Sequence, residues 1–233
     1  MGKGKLGKFA EMQSFENVFQ PGVEELNKRA FYLKGKWCKN YFGNNHPIVL
    51  ELGCGKGEYT VKLAEQDLHI NFIGMDIKGA RIWTGARYAM DHNLNNVAFI
   101  RSRIEFINSF FDPDEINEIW LTFPDPQLKR KRNKKRLTGS IFLNMYKQFL
   151  VDGGTVHLKT DNRELFEYTR SLIMYNHFRL LQKTEDLYTS EISGPARDFR
   201  TYYENQFLEK GMKIYYLEFS LDHEKEIKEP SVE

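Results

Sequence analysis

The residues 51–57 read Glu51-Leu-Gly53-Cys-Gly55-Lys-Gly57, a carboxylate at the end of an apolar run followed by three alternating glycines. Glycines in that spacing let the backbone approach a ligand that a Cβ would exclude. A dinucleotide fingerprint would require glycine at 58, where this chain has Glu58. A carboxylate at the strand end would repel a pyrophosphate but suits a ligand carrying an ammonium or a sulfonium. That combination points to S-adenosylmethionine as cofactor, with S-adenosylhomocysteine as product.

Two further carboxylates extend the pattern. Asp76 closes the run INFIGMD, where it could accept both ribose hydroxyls of a nucleoside cofactor; the same position suits a helix N-cap before Ile77-Lys78. Asp125 lies between Pro124 and Pro126, which stiffen the turn around it. Directly after it, residues 129–136 (KRKRNKKR) carry seven cations, whereas the whole chain has a net charge of only +2, so the remainder sums to 2 − 7 = −5. Charge localised in this way suits a polyanion such as nucleic acid, with a solvated loop as the plain alternative. The carboxylate would orient a base or the cofactor while the cations hold the strand that carries the base.

The elements that must position these residues follow from periodicity. A helical stretch at 22–42 precedes the apolar run PIVLEL (47–52), a buried strand; a helix at 57–66, a strand at 70–76, a helix at 78–93 and a strand at 96–100 complete βαβαβ. The series continues with a strand at 116–123, a helix at 138–151, a strand at 154–160, a helix at 163–175, and the strand-like FRLLQKT and MKIYYLEF. This predicts an α/β, Rossmann-like fold: a mostly parallel seven-stranded sheet with helices on both faces, in a single domain over 1–233. Residues 22–42 form an N-terminal helical extension, and 1–9 and 222–233 are expected to be loosely ordered. Ligands on such sheets bind beyond the carboxyl ends of the strands. The βαβ unit with a positively charged nucleoside cofactor predicts a Rossmann-type methyltransferase.

Composition excludes several classes. No run of about 18 apolar residues could span a bilayer, and the N-terminus lacks a secretory signal or a myristoylation motif, which predicts a cytoplasmic protein without membrane association. Two cysteines, Cys38 and Cys54, supply neither a disulfide framework nor a four-ligand zinc site, and the six histidines show no metal spacing. His157, inside an apolar strand, reads as a core or strand-face residue.

ELGCGKG, GMDIK, FPDPQLKRKRNKKRLT, KTDNRELFEY and TYYE, in this order and spacing, resemble the bacterial tRNA (guanine-N7)-methyltransferases over roughly residues 40–220. The resemblance implies methyl transfer to N7 of a guanosine in tRNA, at position 46 in the variable loop; the sequence leaves monomer and homodimer both open and predicts no metal. The resemblance also implies that Glu51, Gly53, Gly55 and Asp76 bind the cofactor, that Asp125 completes the cofactor site or acts on the base, and that Lys129, Asp161, Thr201, Tyr202, Tyr203 and Glu204 contact the guanosine or its tRNA. Two positions depart from the family pattern: Gln127-Leu128 stands where members often carry Trp-Pro, and Arg103 where members usually place the Asp or Asn that meets adenine. Arg103 could stack on the adenine or leave that contact to a backbone amide.

Several of these residues have structural readings as well. Asp161 could cap the helix that follows it, Thr201 and Glu204 have the spacing of a capping box, and tyrosine pairs are more often packing than base platforms. Exocyclic-amine methyltransferases are the nearest rival, but their motif pairs Asp or Asn with Pro-Pro and an aromatic, whereas here the prolines straddle Asp125. An RNA-binding protein without activity would need only the basic run, and an NAD-dependent dehydrogenase is disfavoured by Glu51 and Glu58. Guanine N7 offers an in-plane lone pair, so its methylation requires no strong general base; placement near the methyl carbon would carry the reaction.

Overall fold

A computed structural model describes residues 3–224 and 226–230, and the chain is laid out in two compact halves, 1–112 and 113–233. In the first half, β1 (Val18–Phe19), β2 (Ile48–Leu52), β3 (Asn71–Asp76) and β4 (Val97–Arg101) lie in the order β1-β4-β3-β2, all parallel. Every residue of β2 is buried, the signature of a strand covered on both faces. Glu51 is registered with Gly74, and Asp76 with Arg101, so the carboxyl ends of three strands meet along one edge. Helices α3 (Glu58–Gln66) and α4 (Gly79–Asp91) return the chain between these strands.

The 22–42 stretch is not one helix. Helix α2 covers only Val23–Lys28, and a single π-helical segment spans Trp37–Phe42. Arg29 is extended, the Phe31 N–H donates to the Ser109 carbonyl at 2.8 Å, and Gly35 has φ +71°. Phe19, Phe31, Trp37 and Tyr41 pack ring on ring, and the Trp37 indole donates to the Phe110 carbonyl at 2.9 Å. Burying this aromatic cluster outweighs continuing an isolated helix, whose own propensity is weak.

The amino-terminal expectation also changes. Lys3–Met12 form helix α1, which packs on α4 and the end of β4: Trp83 of α4 donates to Glu11 at 2.9 Å, and the guanidinium of Arg101 on β4 lies 4.5 Å from the Phe9 ring. The rest of the stretch expected to be loose, residues 1 and 2, lies outside the described residues.

In the second half, β5 (Ile116–Thr122), β6 (Leu150–Thr160), β7 (Leu180–Thr184) and β8 (Tyr215–Leu221) lie in the order β5-β6-β8-β7. β5 and β6 are parallel, and β8 runs antiparallel to both of its neighbours. Helix α5 (Ser140–Tyr146) is shorter than the expected 138–151, because β6 begins at Leu150; α6 (Arg163–Tyr175) matches its expected span. Short α7 (Pro195–Asp198) and α8 (Tyr202–Glu209) precede β8. The described residues thus hold eight strands, one more than expected, the addition being the two-residue β1. The tail is ordered where it is described: Ile227 is buried and Glu229 accepts from the Ser140 N–H, while residues 225 and 231–233 lie outside the description.

Candidate functional site

The glycine loop is clamped to the end of β3. The N–H groups of Gly53 and Cys54 donate to the Met75 carbonyl at 2.8 and 3.2 Å, and the Gly55 N–H donates to Asp76 Oδ2 at 2.9 Å. Gly53, Gly55 and Gly57 all have positive φ, +76°, +57° and +70°. Beyond backbone shape their reasons differ. A Cβ on Gly57 would lie 2.5 Å from the Phe99 ring, so this glycine is demanded by packing. A Cβ on Gly53 would meet nothing within 4 Å, and one on Gly55 only a backbone oxygen at 4.0 Å. The loop therefore presents an open face beside the half-buried Asp76 carboxylate, an arrangement that suits a cationic nucleoside cofactor.

Glu51 is only 2% exposed and accepts at Oε2 from the Thr60 N–H at 2.9 Å and from the Thr60 hydroxyl. Helix α3 has Gly57 at its N-cap and hence no side-chain cap, so Glu51 satisfies the donor of its third residue from a neighbouring strand. Asp76 is half-buried and is not the N-cap of α4, a position held by Lys78. Its Oδ1 accepts from the Lys78 N–H at 2.7 Å in a local turn while Oδ2 holds Gly55. A carboxylate offers about four acceptor sites, so two such bonds orient Asp76 and leave capacity for hydroxyl donors. Burial, with Glu51 and Asp76 as anionic neighbours, pushes the Cys54 thiol well up and keeps it protonated.

Arg103 does not end the third core strand, since β4 closes at Arg101. It is exposed, opens the 3-10 turn Ile104–Ser109, and pairs with Glu105 at 3.0 Å. Ile77, next to Asp76, is 55% exposed, an apolar face just past the end of β3 that sequence reading passed over because isoleucines beside a strand are ordinarily core.

In the second half, the loop carrying Asp125 is strained at both ends. Phe123 and Gln127 have φ +50° and +49°, conformations that cost non-glycine residues about 1–3 kcal/mol each. The Phe123 N–H donates to the Lys159 carbonyl at 2.7 Å, and exposed Asp125 accepts from the Gln127 N–H at 3.0 Å. Arg136, the last of the seven cations, is buried. Its Nε donates to the Pro126 carbonyl at 3.0 Å, Nη2 pairs with Glu164 at 3.0 Å, and the guanidinium lies 4.3 Å from the Tyr168 ring. It holds the Asp125 loop instead of joining the basic surface, which retains the exposed Lys129, Lys131, Arg132, Lys134 and Lys135.

Asp161 does not cap α6; Asn162 does, accepting from the Leu165 N–H at 2.8 Å. The half-buried Asp161 carboxyl is raised above its ordinary value by desolvation. Thr201 and Glu204 do form a capping box, with both bonds at 3.2 Å. Glu204 is 0% exposed and also accepts from the Tyr188 hydroxyl at 2.6 Å and from Lys159 at 2.8 Å. Glu204, expected among the substrate contacts, is enclosed by these partners and anchors the helix that presents Tyr202 and Tyr203, which are 51% and 41% exposed. Lys159, equally buried, donates to the Phe199 carbonyl at 2.8 Å as well. Nothing in its residue type announced this role.

His157 is a strand-face residue, stacked 3.9 Å from Trp120 and bonded to the Tyr216 hydroxyl at 2.7 Å. Among the described residues no three metal-ligating side chains gather, and no helix is long and apolar enough to cross a membrane.

Parallel strands ending in a glycine loop and acidic residues, with an antiparallel strand pair closing the second half, define a Rossmann-like methyltransferase. Residues 45–217 match the family model described as "Putative methyltransferase". The fold is similar to that of an antibiotic-related methyltransferase (TM-score 0.60, 16% identity, 83% of this chain and 96% of that one) and of the 16S rRNA methyltransferase KamB (TM-score 0.60, 11% identity, 79% and 92%). In sequence the chain is 51% identical to the tRNA (guanine-N(7)-)-methyltransferase of Christiangramia forsetii, over 94% of this chain and 98% of that protein. It is 48% identical to the one from Bacteroides fragilis (100% and 92%) and 38% identical to the one from Brevibacillus brevis (81% and 87%). The chain belongs to the tRNA (guanine-N(7)-)-methyltransferase family.

Proposed function

We propose that this protein transfers a methyl group from S-adenosylmethionine to N7 of a guanosine in tRNA, at position 46 of the variable loop. The observation that carries the reading is the clamped glycine loop, whose open face at Gly53 and Gly55 is bordered by Asp76. When bound, S-adenosylmethionine supplies an electrophilic methyl group on a cationic sulfur. Asp76 accepts from the ribose hydroxyls, Ile77 offers an apolar face to the adenine, and Glu51 contributes negative charge beneath the loop while fixing α3.

On the substrate side no side chain has to remove a proton before attack, because the N7 lone pair is already available. Methylation leaves the guanine cationic, so carboxylates are the groups that stabilise the developing charge. Asp125, exposed on a loop held rigid by Arg136, and Asp161, released from capping by Asn162, fill that role. Tyr202 and Tyr203 offer ring faces to unstacked bases, and Lys129 with the other exposed cations holds phosphates. In an RNA helix N7 lies in a groove too deep and narrow for side chains, which favours a loop nucleotide as target.

The test is to incubate the purified protein with methyl-labelled S-adenosylmethionine and unmodified bulk tRNA, then digest to nucleosides. Label is expected in 7-methylguanosine. Label in a methylated adenosine or cytidine would overturn the substrate assignment.

A further inference from the structure

The C-terminal segment is registered on the second half through its main chain. Asn144 on α5 accepts from the Ile227 N–H at 3.0 Å and donates to the Ile227 carbonyl at 2.8 Å. Asn176, just past α6, does the same for Lys228 at 2.8 and 2.9 Å. Two side-chain amides thus pair with the backbone of consecutive residues, and burial of Ile227 completes the anchor. The consequence is a defined position for Glu229. Its carboxylate accepts from the Ser140 N–H at 3.0 Å and from the Tyr168 hydroxyl at 3.0 and 2.9 Å. Gly139 leaves room for this junction: a Cβ there would come within 3.1 Å of the Tyr168 oxygen.

From Tyr168 the contacts lead to the reaction loop. The ring faces the buried Arg136 guanidinium at 4.3 Å, and Arg136 donates to the carbonyl of Pro126, the neighbour of Asp125. With left-handed Phe123 and Gln127 at its ends, that loop keeps its shape only if something outside it holds it. We infer that the tail is a positioning strap for the substrate loop: Glu229 orients Tyr168, Tyr168 orients Arg136, and Arg136 holds Pro126 and with it Asp125. The inference rests on the proposed role of Asp125 toward the base.

The experiment uses the full-length protein with unmodified tRNA and saturating S-adenosylmethionine, comparing Glu229→Ala, Tyr168→Phe, Arg136→Lys and the pairwise combinations. The single tail and ring variants are expected to lower kcat by about threefold to tenfold, since small misplacements of a reacting group are costly. The KM for tRNA stays within about twofold, because the exposed cations that hold phosphates are untouched. Glu229→Ala added to Arg136→Lys is expected to cause no further loss, as for groups acting in one chain. Wild-type kcat in both Glu229→Ala and Tyr168→Phe, or losses that multiply in the double variant, would overturn the strap. Asp125→Asn in the same assay separates the two readings: wild-type turnover there beside a lowered kcat in Glu229→Ala would remove the role given to Asp125 and support the strap as holder of the loop.

Discussion

Desolvation raises the Asp161 carboxyl above its ordinary value, while the cap of the following helix comes from its neighbour Asn162. The unfolded chain therefore ionises this group more readily than the folded one. Stability contributed by protonated Asp161 is fully present below the unfolded value near 3.8 and is lost as pH rises through the raised folded value. Its charge at neutral pH opposes folding, a cost in keeping with the role proposed for it toward a cationic product. Asp161→Asn is expected to raise the urea midpoint at pH 7.5, with a smaller gain at pH 4.5, and to lower tRNA methylation by about tenfold or more. A variant that loses stability at pH 7.5 would make Asp161 a structural residue. At this scale the placement of Glu51 and Asp76 near the ends of their strands was legible, as was the proline-flanked loop that carries Asp125 beyond β5. It was opaque for Arg136 and Lys159, because residue type alone predicts exposure for cations and their partners lie far along the chain.

Helix α8 illustrates how one residue can serve both an element's start and the packing behind it. The Thr-x-x-Glu spacing marked its start, and the capping box is present, yet the same Glu204 also closes a fully buried ion pair with Lys159 on β6. Removing one partner of a buried pair leaves an uncompensated charge, so Lys159→Met is expected to destabilise the protein by about 3–5 kcal/mol in urea unfolding. A loss below about 1 kcal/mol would show that the pair is not held together in solution. Dense apolar periodicity made β2, β3, β4, α3, α4 and α6 legible to within a residue or two. The 22–42 stretch was misread because Leu26, Ala30, Leu33 and Trp37 satisfy helical spacing while the packing that extends the segment involves Ser109 and Phe110. Two-residue β1 carries no period at all, and the polar tail gave no hint of Asn144 and Asn176, its distant anchors.

Across the whole molecule the charge is arranged for a polyanion. Residues 129–136 carry +7 against a net charge of +2, but the Arg136 guanidinium holds the Pro126 carbonyl, so the exposed cationic set is smaller than the composition suggests. At physiological salt, charges more than about 8 Å apart are largely screened, which leaves binding to close cation–phosphate contacts and the counterions they release. Each such contact contributes a slope of roughly 0.7–0.9 in log affinity against log salt. Replacing Lys131 and Lys134 together by Ala is therefore expected to reduce the salt slope of tRNA binding by about 1.4–1.8, with cofactor affinity unchanged. Arg136→Gln, which removes the charge, makes the opposite prediction: the slope stays at the wild-type value while kcat falls, because the guanidinium acts on the loop and not on phosphate. Filter-binding titrations at four or five salt concentrations separate the two, and a loss of slope of about 0.7–0.9 in Arg136→Gln would place Arg136 back among the phosphate ligands.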